Sequence, residues 1–310
     1  MPKRSILVAD DIENRTDAGK KCSQAIRIAA FAFAERLKVE INLLYVEDIK
    51  TFPYVRFDSS RMKTWHNAHQ KNLNEACKQY SDPVRCSLLS GSPAEEVLKA
   101  LRTTVPPELV VLGTRGKKGL QRLLVGSVAE EVLRHSRRPV MVIGPAAQKK
   151  SWFLAADRRQ PRILVATDLG NNSRAPEKYA FSLAKRTGAR VLLFHCPGDN
   201  VRVMMESCMV PGMVPYDFDA TLAQIREDAV KTLREKADFF KRHGVPCEYK
   251  LGESMISSAR SVPQEAENNY SLVVMGTHGR NILLNAYFGS TARETILNAT
   301  IPLIVVHSGK

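Results

Sequence analysis

The sequence has no long apolar run. Its longest mainly apolar stretch, IRIAAFAFA, is interrupted by Arg27 and ended by Glu35. A membrane-spanning helix needs about 18 or more consecutive apolar residues, so we expect no transmembrane segment. The first residues, MPKRSILVADD, hold only four consecutive apolar residues, which are too few for the apolar region of a signal peptide. We therefore predict a cytoplasmic protein that makes no contact with a membrane.

Paired cysteines are also missing. The six cysteines are scattered, none forms a C-x-x-C pair, and no His-rich ligand spacing accompanies them. These absences argue against zinc and iron–sulfur sites and favour reduced cytosolic thiols. At 310 residues, with 44% apolar and 25% charged side chains, the chain has the composition of a globular protein and a length that predicts about two domains.

Acidic residues are in deficit. There are 32 of them against 46 lysines and arginines, which gives a net charge of +14. Such a surplus favours an anionic partner, such as nucleic acid, anionic lipid or a phosphorylated small molecule. Aromatic residues make up only 7% of the chain, and no nucleic-acid-binding module is recognisable, so nucleic acid is the disfavoured partner.

Two segments of the chain occur twice. SILVADD at 5–11 returns as RILVATD at 162–168, and GTRGKKGLQRLLVGS at 113–127 returns as GTHGRNILLNAYFGS at 276–290. The distance between the two segments is six residues longer in the second copy, and we place the extra residues in the Met- and Pro-rich stretch 196–217. The chain is therefore a tandem repeat.

Each copy alternates short apolar strands with helices. This pattern predicts an α/β fold made of two tandem doubly wound parallel five-stranded sheets, with helices on both faces of each sheet. Ser92 followed by proline predicts a helix N-cap, and a long helix is expected from Met62 to Tyr80. The predicted domains cover residues 1–147 and 161–310, and a linker at 148–160 joins them.

The repeated glycine segment has the features of a phosphate-binding loop. It follows strand four, and ligands of open α/β sheets bind beyond the carboxyl ends of the strands. Gly113 and Gly116 let the backbone approach a phosphate closely, and Gly126-Ser127 opens a helix whose free amide groups attract an anion. The spacing G-x₂-G-x₉-G-S recurs in the second copy, which favours nucleotide binding over a pair of structural loops. The segment is not a Walker A loop, and no G-x-G-x-x-G follows strand one.

The chain resembles the universal stress protein family, in particular its tandem two-domain members. The resemblance covers nearly the whole chain and rests on the Asp that ends strand one, the G-x₂-G-x₉-G-[ST] spacing and the P-V-x-V-I final strand. It implies the strand order 3-2-1-4-5 in each sheet. Members that carry this signature typically bind ATP, which implies two sites for ATP with Mg²⁺ in this chain.

The resemblance also implies which residues contact the nucleotide. The Asp that ends strand one lies near the ribose, the phosphates or a metal ion, although capping of the following turn is the alternative. The residue that ends strand two lines the adenine pocket, and the residue before the first glycine flanks the base. Charged residues of the glycine segments either meet the phosphates or are solvated. The predicted contact residues are Asp11, Val46, Leu112, Gly113, Arg115, Gly116, Lys117, Gly126, Ser127 and Val128 in the first copy, and Asp168, Cys196, Met275, Gly276, His278, Gly279, Arg280, Gly289, Ser290 and Thr291 in the second.

Two further features bear on chemistry. Asp10 stands where the second copy has Thr167, so the first copy carries an extra carboxylate beside its site. His66 and His69 lie three residues apart on a predicted helix, but no third ligand is visible, so we interpret them as a surface pair and predict no metal site.

No dedicated nucleophile or general base stands out, so we predict a stress-response sensor or regulator that binds nucleotide. The alternatives are a slow ATPase, or a scaffold that holds an anionic or protein partner without nucleotide. The final strands, PVMVI and PLIVV, are expected at sheet edges, where they can pair with each other within one chain. A homodimer of chains is a further possibility.

Overall fold

The chain folds into two compact units, Met1–Ala156 and Asp157–Lys310, in a computed structural model. The predicted linker at 148–160 lies outside the described residues except for Gln160, so the domain boundaries stay a prediction. The structure describes residues 4–14, 16–48, 59–78, 84–114, 125–147, 160–208, 217–277 and 289–307.

The first unit contains five parallel strands in the order β3-β2-β1-β4-β5, as predicted. Helices connect the strands along the chain. The elements are β1 (Ser5–Ala9), α1 (Asp17–Leu37), β2 (Glu40–Asp48), α2 (Ser59–Lys78), β3 (Val84–Gly91), α3 (Pro93–Ala100), β4 (Leu109–Gly113), α4 (Ser127–His135) and β5 (Val140–Ile143).

The second unit repeats this topology, with parallel strands in the order β8-β7-β6-β9-β10. A short 3-10 turn at Asn171–Ser173 precedes its first helix. The elements are β6 (Arg162–Ala166), α5 (Arg174–Thr187), β7 (Arg190–His195), α6 (Gly198–Cys208), α7 (Phe218–Arg242), β8 (Cys247–Leu251), α8 (Ser258–Glu265), β9 (Leu272–Gly276), α9 (Ser290–Asn298) and β10 (Leu303–Val306).

The central strands are buried along most of their length. Ile6, Leu7 and Val8 of β1 are fully buried, and the first four residues of β4 and of β9 are buried in succession. Such unbroken apolar runs, rather than alternating ones, are what a parallel sheet requires when helices cover both of its faces. Within the described residues, no helix combines the length and the apolar character that crossing a bilayer requires.

The turn between β1 and α1 is fixed by side chains. Thr16 caps α1, because its hydroxyl accepts a hydrogen bond from the Gly19 amide at 3.0 Å. That hydroxyl donates in turn to Asn14 Oδ1 at 2.7 Å. Gly19 leaves room for this contact, since a Cβ there would collide with the side chain of Asn14. The chain after β1 is therefore held in one path beside the strand end.

Three details refine the sequence-based expectations. Ser92 is the N-cap residue of α3 with proline at the helix start, as predicted. The long helix of the first unit spans Ser59–Lys78 rather than residues 62–80, and α6 lies within the stretch 196–217 that was predicted to hold the extra residues of the second copy.

A disulfide joins Cys77, at the end of α2, to Cys86 of β3. The expectation of reduced thiols is therefore wrong for these two residues. Cys22, Cys196 and Cys247 are free and buried.

Candidate functional site

The strand order places the predicted site residues at one edge of each sheet. In the first unit Ala9 of β1 and Leu112 of β4 are register partners, so Asp11 and Gly113 follow neighbouring strand ends. In the second unit β6 lies beside β9 in the same way. The chain leaves β1 toward β2 on one side, while β4 lies on the other, so this edge is the switch point where open α/β sheets bind ligands.

In each unit, an equivalent backbone hydrogen bond joins the start of the glycine segment to its end. The Gly126 amide donates to the Thr114 carbonyl at 2.9 Å, and the Gly289 amide donates to the Thr277 carbonyl at 2.9 Å. A Cβ on Gly126 would lie 2.5 Å from the Thr114 oxygen, so this approach requires glycine. The hydrogen bond brings the start of each helix against the carboxyl end of the preceding strand.

The helices that begin there have no side-chain cap. Gly126 and Gly289 are the N-cap residues of α4 and α9. Ser127 and Ser290, the first residues of the two helices, are exposed. Amide groups in the first turn of a helix lack intrahelical partners and carry partial positive charge, so both helix starts are suited to an anion.

Gly113 has a role in packing that the sequence did not reveal. A Cβ at this position would lie 2.5 Å from Cys22 Sγ and 2.7 Å from Ile26 Cδ1, both on α1. The glycine therefore allows α1 to pack against the end of β4. Its predicted contact with a phosphate stays a prediction, and a bulky residue there would disturb the core as well as any ligand.

The two carboxylates that follow β1 have different surroundings. Asp10 is buried and its Oδ2 lies 3.1 Å from Arg27 Nε on α1. Burial raises the pKa of the Asp10 carboxyl, an effect that Arg27 opposes. The main chain of Asp11 fixes the turn, since its carbonyl accepts from the Asn14 amide at 3.1 Å. The extra carboxylate of the first copy is thus paired with α1.

Asp168 caps the turn after β6 and still has one oxygen to offer. Its Oδ1 accepts from the Gly170 amide at 2.8 Å and from the Ser173 hydroxyl. Its buried Oδ2 has no hydrogen-bond partner in the described part of the chain. Thr167, in the place of Asp10, bonds instead to the buried carboxylate of Glu177, which Lys236 neutralises at 2.6 Å. Capping and ligand binding are therefore compatible at Asp168.

The residues predicted to surround the base are buried at the strand ends. Val46, Leu112 and Met275 are between 3% and 8% exposed. Cys196 is 6% exposed, and its thiol donates to the Ile256 carbonyl at 2.9 Å. Among the predicted contact residues, six lie outside the described part of the chain, namely Arg115, Gly116, Lys117, His278, Gly279 and Arg280.

The sequence analysis did not predict a cluster of polar side chains that lies beside β2. Glu47 is 2% exposed and accepts hydrogen bonds from Ser90 at 2.7 Å and from two histidines, His69 at 2.8 Å and His66 at 3.2 Å. His66 and His69 on α2, which were interpreted as a surface pair, therefore form hydrogen bonds with a buried carboxylate. One feature of the sequence could have indicated this cluster, because the acidic residue Glu47 directly follows Val46 at the end of an apolar strand. Within the described ranges, no group of three or more His, Cys, Asp or Glu side chains can hold a metal ion.

The charge of Glu47 is stabilised by this cluster. Burial alone would raise its pKa, but the hydrogen bonds from Ser90, His69 and His66 outweigh burial and hold the pKa below its ordinary value of 4.5. A lowered pKa means that the carboxylate stabilises the fold above its unfolded-state pKa. This contribution is lost as the pH falls through the folded-state pKa.

The substitution Glu47→Gln is expected to lower the free energy of unfolding by about 2 kcal/mol at pH 7, because charge-assisted hydrogen bonds to a buried carboxylate are lost. Urea unfolding at pH 7 and at pH 3 measures this. The deficit should be present at pH 7 and shrink at pH 3. Glu75→Gln, at an exposed position of α2, is the matched control and should change stability little at either pH. An equal deficit at both pH values would contradict the assignment.

The fold and the repeated strand-to-helix closure define a tandem doubly wound α/β protein whose two units are built alike. Comparison with known proteins leads to the same class of fold. The model of the universal stress protein family matches residues 3–144 and again residues 161–307. The chain belongs to the universal stress protein family and carries two tandem domains of that family.

Individual proteins that are similar to this chain include other universal stress proteins. Universal stress protein Rv2005c of Mycobacterium tuberculosis is 28% identical over 198 residues, which cover 64% of this chain and 61% of that protein. A universal stress protein structure from Archaeoglobus fulgidus covers 100% of both chains with a TM-score of 0.65 at 18% identity. Another universal stress protein from A. fulgidus, with a TM-score of 0.33, was solved in complex with dAMP.

Proposed function

We propose that each domain binds one adenine nucleotide, ATP together with Mg²⁺, and that the protein acts as a nucleotide-dependent stress-response regulator. The observation that carries the proposal is the closure seen in both copies. In each copy the amide of the glycine that caps the helix donates a 2.9 Å hydrogen bond to the end of the preceding strand, which lies beside the strand that leads into Asp11 or Asp168. Two sites built alike in one chain favour a ligand-binding role over two structural loops.

Buried polar atoms at the strand ends support the same role. Asp168 Oδ2 and Thr114 Oγ1 have no hydrogen-bond partner in the described residues. Such atoms are costly unless a ligand, an ion or water satisfies them. Asp168, with phosphate oxygens and water, has the oxygen ligands that Mg²⁺ prefers. The ion, when bound, neutralises charge on the phosphates, while the amides of α4 and α9 hold the phosphate oxygens.

Nucleotide content tests the proposal. The purified full-length protein is incubated with ATP and Mg²⁺, freed of excess nucleotide, denatured and analysed by mass spectrometry. We expect adenine nucleotide to be released in an amount approaching two molecules per chain. A protein that retains no nucleotide, yet binds an anionic macromolecule with steep salt dependence, would instead support the scaffold alternative. Pairing of the domains through β5 and β10 and a homodimer of chains stay predictions that cross-linking and sedimentation can test.

A further inference from the structure

The second domain has a basic cavity at the amino ends of its strands. The proposed nucleotide site lies at the opposite, carboxyl ends. The cavity measures about 240 Å³ and is lined by Arg162, Arg190, Lys241, Cys247 and Glu248 among others. The two arginines are the first residues of β6 and β7, and Cys247 is the first residue of β8. The cavity therefore lies at the amino ends of three neighbouring strands, away from the glycine segment.

Two of the positive charges stand side by side. Arg162 and Arg190 are register partners in the parallel strands β6 and β7, so their side chains point to the same face of the sheet. Like charges at such positions destabilise a sheet. The equivalent partners in the first domain are Ser5 and Glu40. The repulsion is therefore a feature of the second domain, not of the fold.

The first domain balances the charges at this edge, and the second does not. Glu108 pairs with Arg4, with Nε and Oε1 3.3 Å apart. The Glu108 amide donates to the Ser5 carbonyl at 2.8 Å, and the same backbone contact in the second domain joins Ser271 to Arg162 at 2.9 Å. A serine thus replaces the carboxylate where the second domain has gained its arginines.

Neutral groups hold both guanidinium groups in place. Arg162 lies over the ring of Tyr270, 4.7 Å from its centroid, and Arg190 Nε donates to Gln160 Oε1 at 2.9 Å. Among the described residues, no carboxylate lies within ion-pair distance of either guanidinium. Lys241 Nζ is 3.5 Å from Asp238 on the exposed surface of α7. An arginine that is oriented but not neutralised retains donors for an anion.

We infer that this cavity binds a phosphate group, either as inorganic phosphate or as the terminal group of a small phosphorylated metabolite. Arg162 and Arg190, which have no carboxylate partner among the described residues, supply two positive charges that match a doubly charged oxyanion better than a single carboxylate. Guanidinium groups also bind phosphate oxygens in a bidentate manner. The volume is below the roughly 300–1,000 Å³ of pockets that hold larger ligands, so a single phosphate group is the part that fits.

Titration of the full chain with inorganic phosphate, followed by thermal unfolding and ³¹P NMR, tests the inference. We expect phosphate to raise the melting temperature of the wild type. Arg190→Gln and Arg162→Gln should each weaken phosphate binding about tenfold, the effect of losing one charge-assisted contact. Arg242→Gln removes an exposed charge from the residue after Lys241 and is the matched control, which should bind as the wild type does.

Two comparisons separate this site from the proposed nucleotide sites and from a structural role. The loss of phosphate binding caused by Arg190→Gln should be the same in the wild type and in a background that carries Ser127→Asp and Ser290→Asp, whether or not that background binds ATP. In phosphate-free buffer, Arg190→Gln should melt at the same temperature as the wild type or higher, because the repulsion is relieved. Glycerol phosphate that competes with phosphate would identify a phosphomonoester as an accepted ligand.

The inference is overturned if neither arginine variant weakens phosphate binding, or if the double aspartate variant abolishes it. It is also overturned if an oligonucleotide binds through Arg190 while inorganic phosphate does not.

Discussion

The double substitution Ser127→Asp and Ser290→Asp is expected to weaken ATP binding by at least about 100-fold while the fold stays as stable as before. Both serines are exposed first residues of helices. A carboxylate there would face the phosphates that the helix start attracts, and such like-charge contacts cost several kcal/mol. The same carboxylate is favourable to the helix itself, by about 0.3–1 kcal/mol.

In this variant the affinity for ATP is therefore expected to fall while the free energy of unfolding stays unchanged. Isothermal titration with ATP and Mg²⁺ measures the first, and urea unfolding measures the second. Lys231→Gln, an exposed change on α7, alters the net charge by the same amount as each single substitution and should leave both quantities unchanged. Retained affinity in the double variant would show that the helix starts do not hold the phosphates. By contrast, a bulky residue at Gly113 would confound the two, because it collides with α1.

Removal of the disulfide is the second large effect that we expect. Cys77→Ser together with Cys86→Ser should lower the free energy of unfolding by about 3 kcal/mol, the chain-entropy value for a loop of roughly ten residues. The two cysteines are nine positions apart. Treatment of the wild type with a reducing agent should have the same effect, and the double variant should not respond to it.

The disulfide and the Glu47 cluster act on the same helix. The bond ties the end of α2 to β3, while His66 and His69 tie the middle of α2 to the end of β2. Alkylation provides an independent check, since Cys77 and Cys86 should react only after reduction. If both thiols react in the untreated protein and reduction leaves its stability unchanged, the disulfide is not part of the native fold.

The sequence predicted the parts of this fold that depend on local pattern. Unbroken apolar runs identified the strands, and the recurring glycine spacing placed both helix starts at the correct edge of the sheet. The Ser92 cap followed from a dipeptide. Each of these signals lies within a few residues along the chain, where backbone propensities and burial act directly.

The features that were missed depend on residues distant in sequence. His66 and His69 had no visible partner, because Glu47 reaches them only when α2 packs over β2. The disulfide between Cys77 and Cys86 was not predicted, because no rule of cysteine spacing indicates that the end of α2 contacts β3. Arg162 and Arg190 became neighbours only through strand register. Tertiary contacts, not composition, create these sites.

The structure gives a local place to part of the net charge of +14. Three of the cations line one cavity of the second domain, namely Arg162, Arg190 and Lys241. Positive charge raises the rate at which anions reach such sites and makes that rate sensitive to salt.

Isothermal titration of the wild-type chain with ATP and Mg²⁺ tests the central claim most directly. The repeated closure of strand and helix in both domains predicts saturable binding with a stoichiometry approaching two nucleotides per chain. A stoichiometry near one would restrict the claim to a single domain. The absence of any binding heat, in a protein shown by its cooperative unfolding to be folded, would contradict it.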